Sequence, residues 1–225
     1  MIMMYHVSSL VFFILLFACG PDSVNSIILA DSDYKSIITN DYKDHDNLSK
    51  AYFASGCFWC VEAIFESVEG VDHVISGYSG GSEQNPTYNQ VGYGRTSHAE
   101  AVEVHYDSTV ISYHTLLKVY YGSHDPTTIN GQQPDFGRQY RSIIFYQNDE
   151  ERKQAEEFKQ KLNKSGNYSQ PIVTEIVKFK KFWKAEDYHQ NFERLNPNNS
   201  YVRKVSIPRL NRFKEKFPHL LKKDH

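Results

Sequence analysis

The stretch from Ala51 to Val68 limits the possible folds more than any other part of this chain. Ala51–Ala54 reads as a short strand and Gly56 allows a sharp turn. From about Phe58 to Val68 apolar residues recur at intervals of three and four, the period of a helix laid on a core. A cysteine, Cys57, stands at the start of that helix, and a second, Cys60, follows three residues later. Downstream, Val71–Tyr78 and His98–Tyr106 read as strands, Ser112–Tyr121 as a helix and Ser142–Tyr146 as a buried strand. Asp149–Asn163 reads as a charged surface helix and Ile172–Val177 as a last strand. Hairpin-length and crossover-length connections occur together, which predicts an α+β domain, a two-layer sandwich with helices packed on a mixed or antiparallel sheet. Two long stretches rich in Gly, Pro, Asn, Gln and Tyr, Gly77–Thr96 and His124–Arg141, interrupt these elements. Connections of that length without secondary structure of their own are usually functional or disordered, and the aromatic and amide content here argues for function.

The ends read differently. The apolar run Val11–Ala18 is about half the length needed to cross a bilayer and has the form of an export signal over residues 1–18. Leu16-Phe17-Ala18-Cys19 resembles a bacterial lipoprotein signal, in which Cys19 would carry lipid; an ordinary cleaved signal and a plain hydrophobic start are the alternatives. Residues 19–50 are polar and aperiodic, as expected of a tether. The domain is expected over 51–205, followed by a basic extension over 206–225. There Leu210, Phe213, Phe217 and Leu220 fall at helical spacing, as in a helix lying on its own domain. These features predict an exported, membrane-anchored protein of the cell envelope. With 25 Lys and Arg against 27 Asp and Glu, no nucleic-acid partner is implied.

Three cysteines exclude a disulfide scaffold, so the pair at Cys57 and Cys60 carries most of the chemical information. A cysteine at a helix amino terminus faces unsatisfied N–H groups and the positive end of the helix dipole, which predicts a lowered pKa and a reactive thiolate at Cys57. Cys60 lies over the same helix face at a Cα separation of roughly 5 to 6 Å, close enough for a disulfide. Zinc would need further ligands at suitable spacing, and no second cysteine pair exists; His73, His98 and His105 fall in or beside strands, where histidines usually satisfy local hydrogen bonds. No metal and no cofactor are expected. Phe58 and Trp59, between the thiols, would form either core anchors or a small apolar slot suited to a methyl-sulfur group.

Taken together, G-C-F-W-C-V-E at Gly56–Glu62, G-Y-S-G-G at Gly77–Gly81, N-P-T-Y at Asn85–Tyr88, H-A-E-A-V at His98–Val102, H-D-P-T at His124–Thr127 and D-F-G-R-Q-Y-R-S at Asp135–Ser142 resemble the A-type peptide methionine sulfoxide reductase family. The resemblance covers most of Ala51–Asn196. It implies a ferredoxin-like plait with long catalytic loops, and Cys57 as the nucleophile. Phe58 and Trp59 would hold the substrate methyl group, with His98 beside them in the substrate-binding set. Glu100, Tyr88 and Tyr140 would surround the sulfoxide oxygen, and Asp135 would help to position the substrate. Attack on the sulfur is difficult unless the oxygen is protonated, so Glu100 is expected to act as an acid whose pKa is raised by burial. The substrate would be the S epimer of methionine sulfoxide, free or in oxidised proteins. The resulting Cys57 sulfenic acid would condense with a thiol. Relatives commonly place resolving cysteines near the carboxyl terminus, but here none follows Cys60. A Cys57–Cys60 disulfide opened by thioredoxin or a similar thiol reductant is therefore expected. Ser97 and Gln133 stand where the family more often has glycine.

Two other readings remain open at this level: a thioredoxin-like disulfide oxidoreductase, whose C-x-x-C also opens a helix, and a non-catalytic surface lipoprotein that binds peptides in an aromatic cleft.

Overall fold

The computed structural model describes residues 47–223. The expected signal, Cys19 and nearly all of the tether lie outside them. Among the described residues no helix is long and apolar enough to cross a membrane.

Strand β1 (Ser49–Ala54) turns through Gly56 into helix α1 (Phe58–Glu66). Strand β2 (Val71–Ser79), the short helix α2 (Tyr88–Gly92), strand β3 (Ala99–Tyr106) and helix α3 (Tyr113–Gly122) follow. A two-stranded hairpin of β4 (Gly131–Gln132) and β5 (Asp135–Phe136) precedes β6 (Ile143–Tyr146) and helix α4 (Asp149–Lys164). Then come β7 (Glu175–Lys178), β8 (Phe182–Lys184), α5 (Phe192–Leu195), a π-helical turn over Val202–Ser206 and α6 (Ile207–Lys216). The main sheet has the order β7-β6-β1-β3-β2-β8. Its pairs are antiparallel except β6 with β7, which is parallel, so the sheet is mixed as expected.

The larger core lies on one face of this sheet. Phe58, Val61, Ile64 and Phe65 of α1 and Leu116, Leu117 and Tyr120 of α3 close over Phe53, Val102 and Val104. Each such apolar side chain contributes roughly 1.5 to 3 kcal/mol on full burial. Phe53 stacks on Phe65 and Tyr120, with centroids 5.2 Å away in both cases, so strand and both helices share one aromatic stack. The opposite face is thinner: Tyr52, Ala54, Ala99, Ala101, Ile143 and Phe145, covered in part by Phe179 and Phe182.

Alternation along β3 decides what each face receives. Glu100 points to the same side as Val102 and Val104, into the main core. Glu103 and His105 point to the other side.

The basic carboxyl-terminal segment packs into the domain. Phe213 of α6 is buried in the main core, and Arg209 reaches the carbonyl of Ser55 across 154 residues. The hydrophobic positions at helical spacing lay this helix on its own domain, serving the same core as α1 and α3.

The two long stretches hold more structure than the sequence suggested. Gly77–Ser79 still belongs to β2. Helix α2 opens with a reciprocal cap between Thr87 and Gln90, and the second stretch contains the β4–β5 hairpin.

Candidate active site

Gly56 is the hinge of the site. Its φ of +89° lies where side chains are strained, and a Cβ there would stand 2.9 Å from the Gln132 side chain. The turn leaves Cys57 as the residue capping α1, with no side-chain cap of its own. Cys57 and Cys60 are both free thiols and both buried.

Glu100, only 2% exposed on the central strand β3, accepts the Phe58 N–H at 3.1 Å through Oε2. That N–H is one of the free donors in the first turn of α1, so the carboxyl stands beside Cys57. Burial pushes its pKa up to about 8; the Phe58 hydrogen bond opposes this, while Asp135 and Cys60 add to it. The acid form therefore predominates at neutral pH. The structure places Glu100 far from the sheet edge and in the apolar setting an acid catalyst needs.

The thiols depart from expectation. Burial, the hydrogen bond and charge of Cys60, and the nearby Glu100 hold Cys57 well above the usual thiol range. Cys60 falls to about 6: the hydrogen bond from Cys57 lowers it most, burial opposes, and Arg209, Ser206 and Tyr201 lower it further. The two thiols act on each other, and their pKa values are pushed apart, Cys57 upward and Cys60 downward. The helix-terminus rule fails for Cys57 because it describes an exposed terminus, whereas this one is closed over by the β4–β5 hairpin and the carboxyl-terminal segment.

Tyr88 and Tyr140 face the same centre. Burial, Glu100 and Cys57 raise the Tyr88 phenol to about 12, and burial with Glu100 and Asp135 raises Tyr140 further, so both remain O–H donors. Asp135 is hydrogen-bonded by the Tyr201 hydroxyl, and burial raises its pKa. Phe58 and Trp59 stand in an aromatic wall. Phe58 lies 6.3 Å from Tyr88 and 5.0 Å from His189, and Trp59 stacks on Phe192 at 3.8 Å.

His98 is the exception among the expected site residues. Its Nδ1 accepts the Gly81 N–H at 3.1 Å and its Nε2 donates to the Glu83 carbonyl at 2.8 Å. Both nitrogens are used in stapling the loop after β2, and no face of the buried ring is left for a substrate. Ser97 serves the same loop: its hydroxyl donates to Glu83 and accepts the Ser82 N–H.

Three contributors were not anticipated. His189 is fully buried, its Nδ1 accepts the Trp59 indole N–H at 3.1 Å, and burial lowers its pKa to about 4. It is therefore neutral, with an Nε2–H that has no partner among the described residues. Glu186 accepts the Tyr88 N–H and the Tyr78 hydroxyl, each at 2.9 Å, which fixes the start of α2. Tyr201 sets its hydroxyl between Asp135 and Cys60 Sγ, 3.8 Å from the sulfur. Only Tyr188-His189-Gln190 was visible as a cue, a histidine between an aromatic and an amide near the last strand. No group of three or more His, Cys, Asp and Glu suited to a metal occurs among the described residues.

This arrangement offers a protonated carboxyl, two phenolic donors, a pair of neighbouring free thiols and an aromatic slot. It suits a reaction that places charge on an oxygen held next to a thioether. Comparison with known proteins agrees. Residues 49–221 match the family model described as peptide methionine sulfoxide reductase. The chain is 47% identical over 167 residues to the peptide methionine sulfoxide reductase MsrA of Natronomonas pharaonis, covering 74% of this chain and 94% of that one. It is 45% identical to MsrA of Pasteurella multocida, over 77% of this chain and 98% of the relative. Among solved structures, Mxr1 of Saccharomyces cerevisiae in reduced form superposes with a TM-score of 0.65 at 31% identity, covering 70% of this chain and 91% of that one. Methionine sulfoxide reductase A of Corynebacterium diphtheriae gives 0.62 at 33% identity, over 69% and 78%.

Proposed function

Because this chain belongs to the peptide methionine sulfoxide reductase family, we propose that it reduces the S epimer of methionine sulfoxide, free or in oxidised proteins, with Cys57 as nucleophile and Glu100 as acid. The observation that carries the assignment is the Glu100 carboxyl, protonated to about pH 8 and set beside Cys57 by the Phe58 N–H. Family membership makes the chain an oxidoreductase that draws electrons from thiols, which disposes of the peptide-binding and disulfide-exchange alternatives.

The substrate methyl group enters the slot formed by Phe58 and Trp59, and the sulfoxide oxygen turns toward Glu100, Tyr88 and Tyr140. Asp135, oriented by Tyr201, holds the substrate's neighbouring atoms. Cys57 gives up its proton, with the neighbouring Cys60 as acceptor, and attacks the sulfur while Glu100 protonates the oxygen. Phenolic donors share the developing charge. The oxygen ends on Cys57 as a sulfenic acid: the methionine sulfur gains two electrons and Cys57 loses two. Cys60 then condenses with the sulfenic acid, water leaves, and a protein dithiol of the thioredoxin type reopens the disulfide.

The strand order β6-β1-β3-β2, with α1 and α3 on one face, supports a ferredoxin-like plait as the scaffold. The run Val11–Ala18 before Cys19 supports an exported enzyme tethered by lipid, acting on envelope proteins.

The test is turnover of separated S and R sulfoxide peptides with dithiothreitol by the native chain, Cys57→Ser and Cys60→Ser. S-specific turnover lost in Cys57→Ser and retained in Cys60→Ser supports the assignment, since dithiothreitol reduces the sulfenic acid directly. Turnover of neither epimer by the native chain would overturn it.

A further inference from the structure

Tyr88 and Tyr140 reach the centre from different parts of the chain. Tyr88 opens α2, whereas Tyr140 closes the short 3-10 turn Arg138–Tyr140 that follows the β4–β5 hairpin. Two O–H groups share the charge on one oxygen only if both point at the same spot, and a misplacement of about 1 Å is enough to cost about a hundredfold in rate. The two segments therefore have to be held in register.

Gln139 joins them. Only 7% of it is exposed, and its side-chain Nε2 donates to the Gly92 carbonyl at 2.9 Å, across 47 residues. Tyr140 is its neighbour in sequence. Gly92, at the end of α2, lies against the Tyr88 ring, whose Cζ is 3.7 Å from the point a Cβ on Gly92 would occupy. The bond thus runs from the residue before one phenol to the residue under the other. Gly137 makes room for it: at a φ of +141° it lies in the region that favours glycine, and a Cβ there would clash with the Gln139 amide. Each segment is also pinned on its own side, since Glu186 accepts the Tyr88 N–H at 2.9 Å and the Asn130 carbonyl accepts the Gly137 N–H at 2.8 Å. Farther out, Arg141 Nη2 donates to the Ser97 carbonyl at 3.1 Å, a second tie that lies beyond the end of α2 and does not touch either phenol.

We propose that Gln139 is a positioning residue for the sulfoxide-oxygen site: its amide clips the turn carrying Tyr140 to the helix carrying Tyr88, and so sets the distance and angle between the two phenolic donors. The proposal rests on the reading of these phenols as donors to the oxygen. The other reacting groups do not depend on the clip. Cys57 is placed by the turn into α1, and Glu100 comes from β3 and is held by the Phe58 N–H. Gln139 therefore acts on the share of the rate that the phenols supply and on no other.

A double-mutant cycle on the full chain separates this role from a structural one. The chemical step is read in a single turnover without reductant, as the rate at which an S-sulfoxide peptide becomes the methionine peptide by mass spectrometry. Gln139→Met keeps the length of the side chain and removes the donor. It is expected to slow this step by about ten- to a hundredfold, less than the loss of a whole donor, while circular dichroism stays native. The same substitution in a chain that carries Tyr88→Phe and Tyr140→Phe is expected to cost less than about twofold, because no donors are left to align. An equal loss in both backgrounds makes Gln139 a residue of the fold and overturns the role, as does a native rate in Gln139→Met alone. If Gln139→Met does not fold, Gln139→Glu decides in the same cycle, since it keeps the shape of the side chain and sets an acceptor against the Gly92 carbonyl. A native rate in the chain with both phenylalanines would show that the phenols are not donors, and would overturn that reading and this role together.

Discussion

Glu100 and Glu103 lie three residues apart on β3 and ionise at opposite ends of the scale. Glu100 faces the main core with a single backbone N–H for company, and its pKa rises to about 8. Glu103 faces the thin side of the sheet. Burial raises it there as well, but hydrogen bonds from His105 and Tyr52 and the charge of Lys50 outweigh this and bring it to about 2. His105 Nε2 is 2.6 Å and Lys50 Nζ 3.2 Å from its carboxylate. The difference comes from parity: an odd number of steps along the strand exchanges a dry face, where Glu100 has a single backbone donor, for one that supplies side-chain donors and positive charge. A carboxylate becomes an acid catalyst here because no cation was placed next to it.

The sharpest way to break this contrast is to remove the proton from one side only. Glu100→Gln keeps shape and polarity but cannot donate a proton to the sulfoxide oxygen. It is expected to cut kcat by ~10²- to 10⁴-fold, the range general acid catalysis covers, measured with dithiothreitol and an S-sulfoxide peptide. In the native chain, turnover that requires protonated Glu100 should fall as pH rises through about 8. Stability should shift with it. A carboxyl raised above its ordinary value of 4.5 binds its proton more tightly folded than unfolded, so its contribution is fully present below pH 4.5 and is lost as pH rises toward 8. Thermal unfolding followed across that window should therefore show a shallower decline in Glu100→Gln than in the native chain. Equal slopes would mean that Glu100 is ionised when folded.

A smaller effect is expected where a polar side chain of the same strand serves structure. His98, at the start of β3, uses both ring nitrogens on backbone groups of the loop after β2. Replacing it with alanine leaves the Gly81 N–H and the Glu83 carbonyl unsatisfied and should cost about 1 to 3 kcal/mol for each group that stays buried. Chemical denaturation should show that loss. Because the loop carries Tyr88 toward the site, KM is expected to rise more than kcat falls. A loss confined to kcat at unchanged stability would return His98 to the chemistry.

Much of the site was legible because its chemistry is concentrated in contiguous words. Gly56–Cys60 announced the turn and both thiols, and His98–Val102 placed Glu100 on a strand. What was illegible depends on closure over long separations. Arg209 reaches Ser55 over 154 residues, and His189 meets Trp59 over 130. Neither contact has any trace in local period or spacing. Helix rules misjudged Cys57 for a related reason: they describe the terminus, but the terminus is covered by segments from elsewhere in the chain. Among the elements, β8 escaped because Phe182-Trp183-Lys184 is too short to show alternation, and it exists through its pairing with Gly77–Ser79. In the fold as in the site, local pattern located the reacting groups, and tertiary packing set their charge.

Glu103 offers the mildest and most specific test of that last point. A carboxylate whose folded pKa is depressed adds stability above its ordinary value, and that stability is lost as pH falls from about 4.5 toward 2. Of its partners only Lys50 is exposed, with 47% of its side chain in solvent, so screening keeps that ion pair weak, while His105 and Tyr52 are buried. Gln still offers an oxygen acceptor to both, so Glu103→Gln should lose only about 1 kcal/mol at neutral pH, the difference between a charged and a neutral hydrogen bond. Its acid limb of stability should be flatter, and its sulfoxide turnover unchanged, since the side chain lies on the face of the sheet away from Cys57. Urea unfolding at several pH values between 2 and 7, beside a turnover assay, reads all three. If Glu103→Gln impaired turnover as Glu100→Gln does, the two faces of β3 would not be electrically separate, and the account of Glu100 as an acid set by its own face would have to be replaced by one in which the whole strand shares a single field.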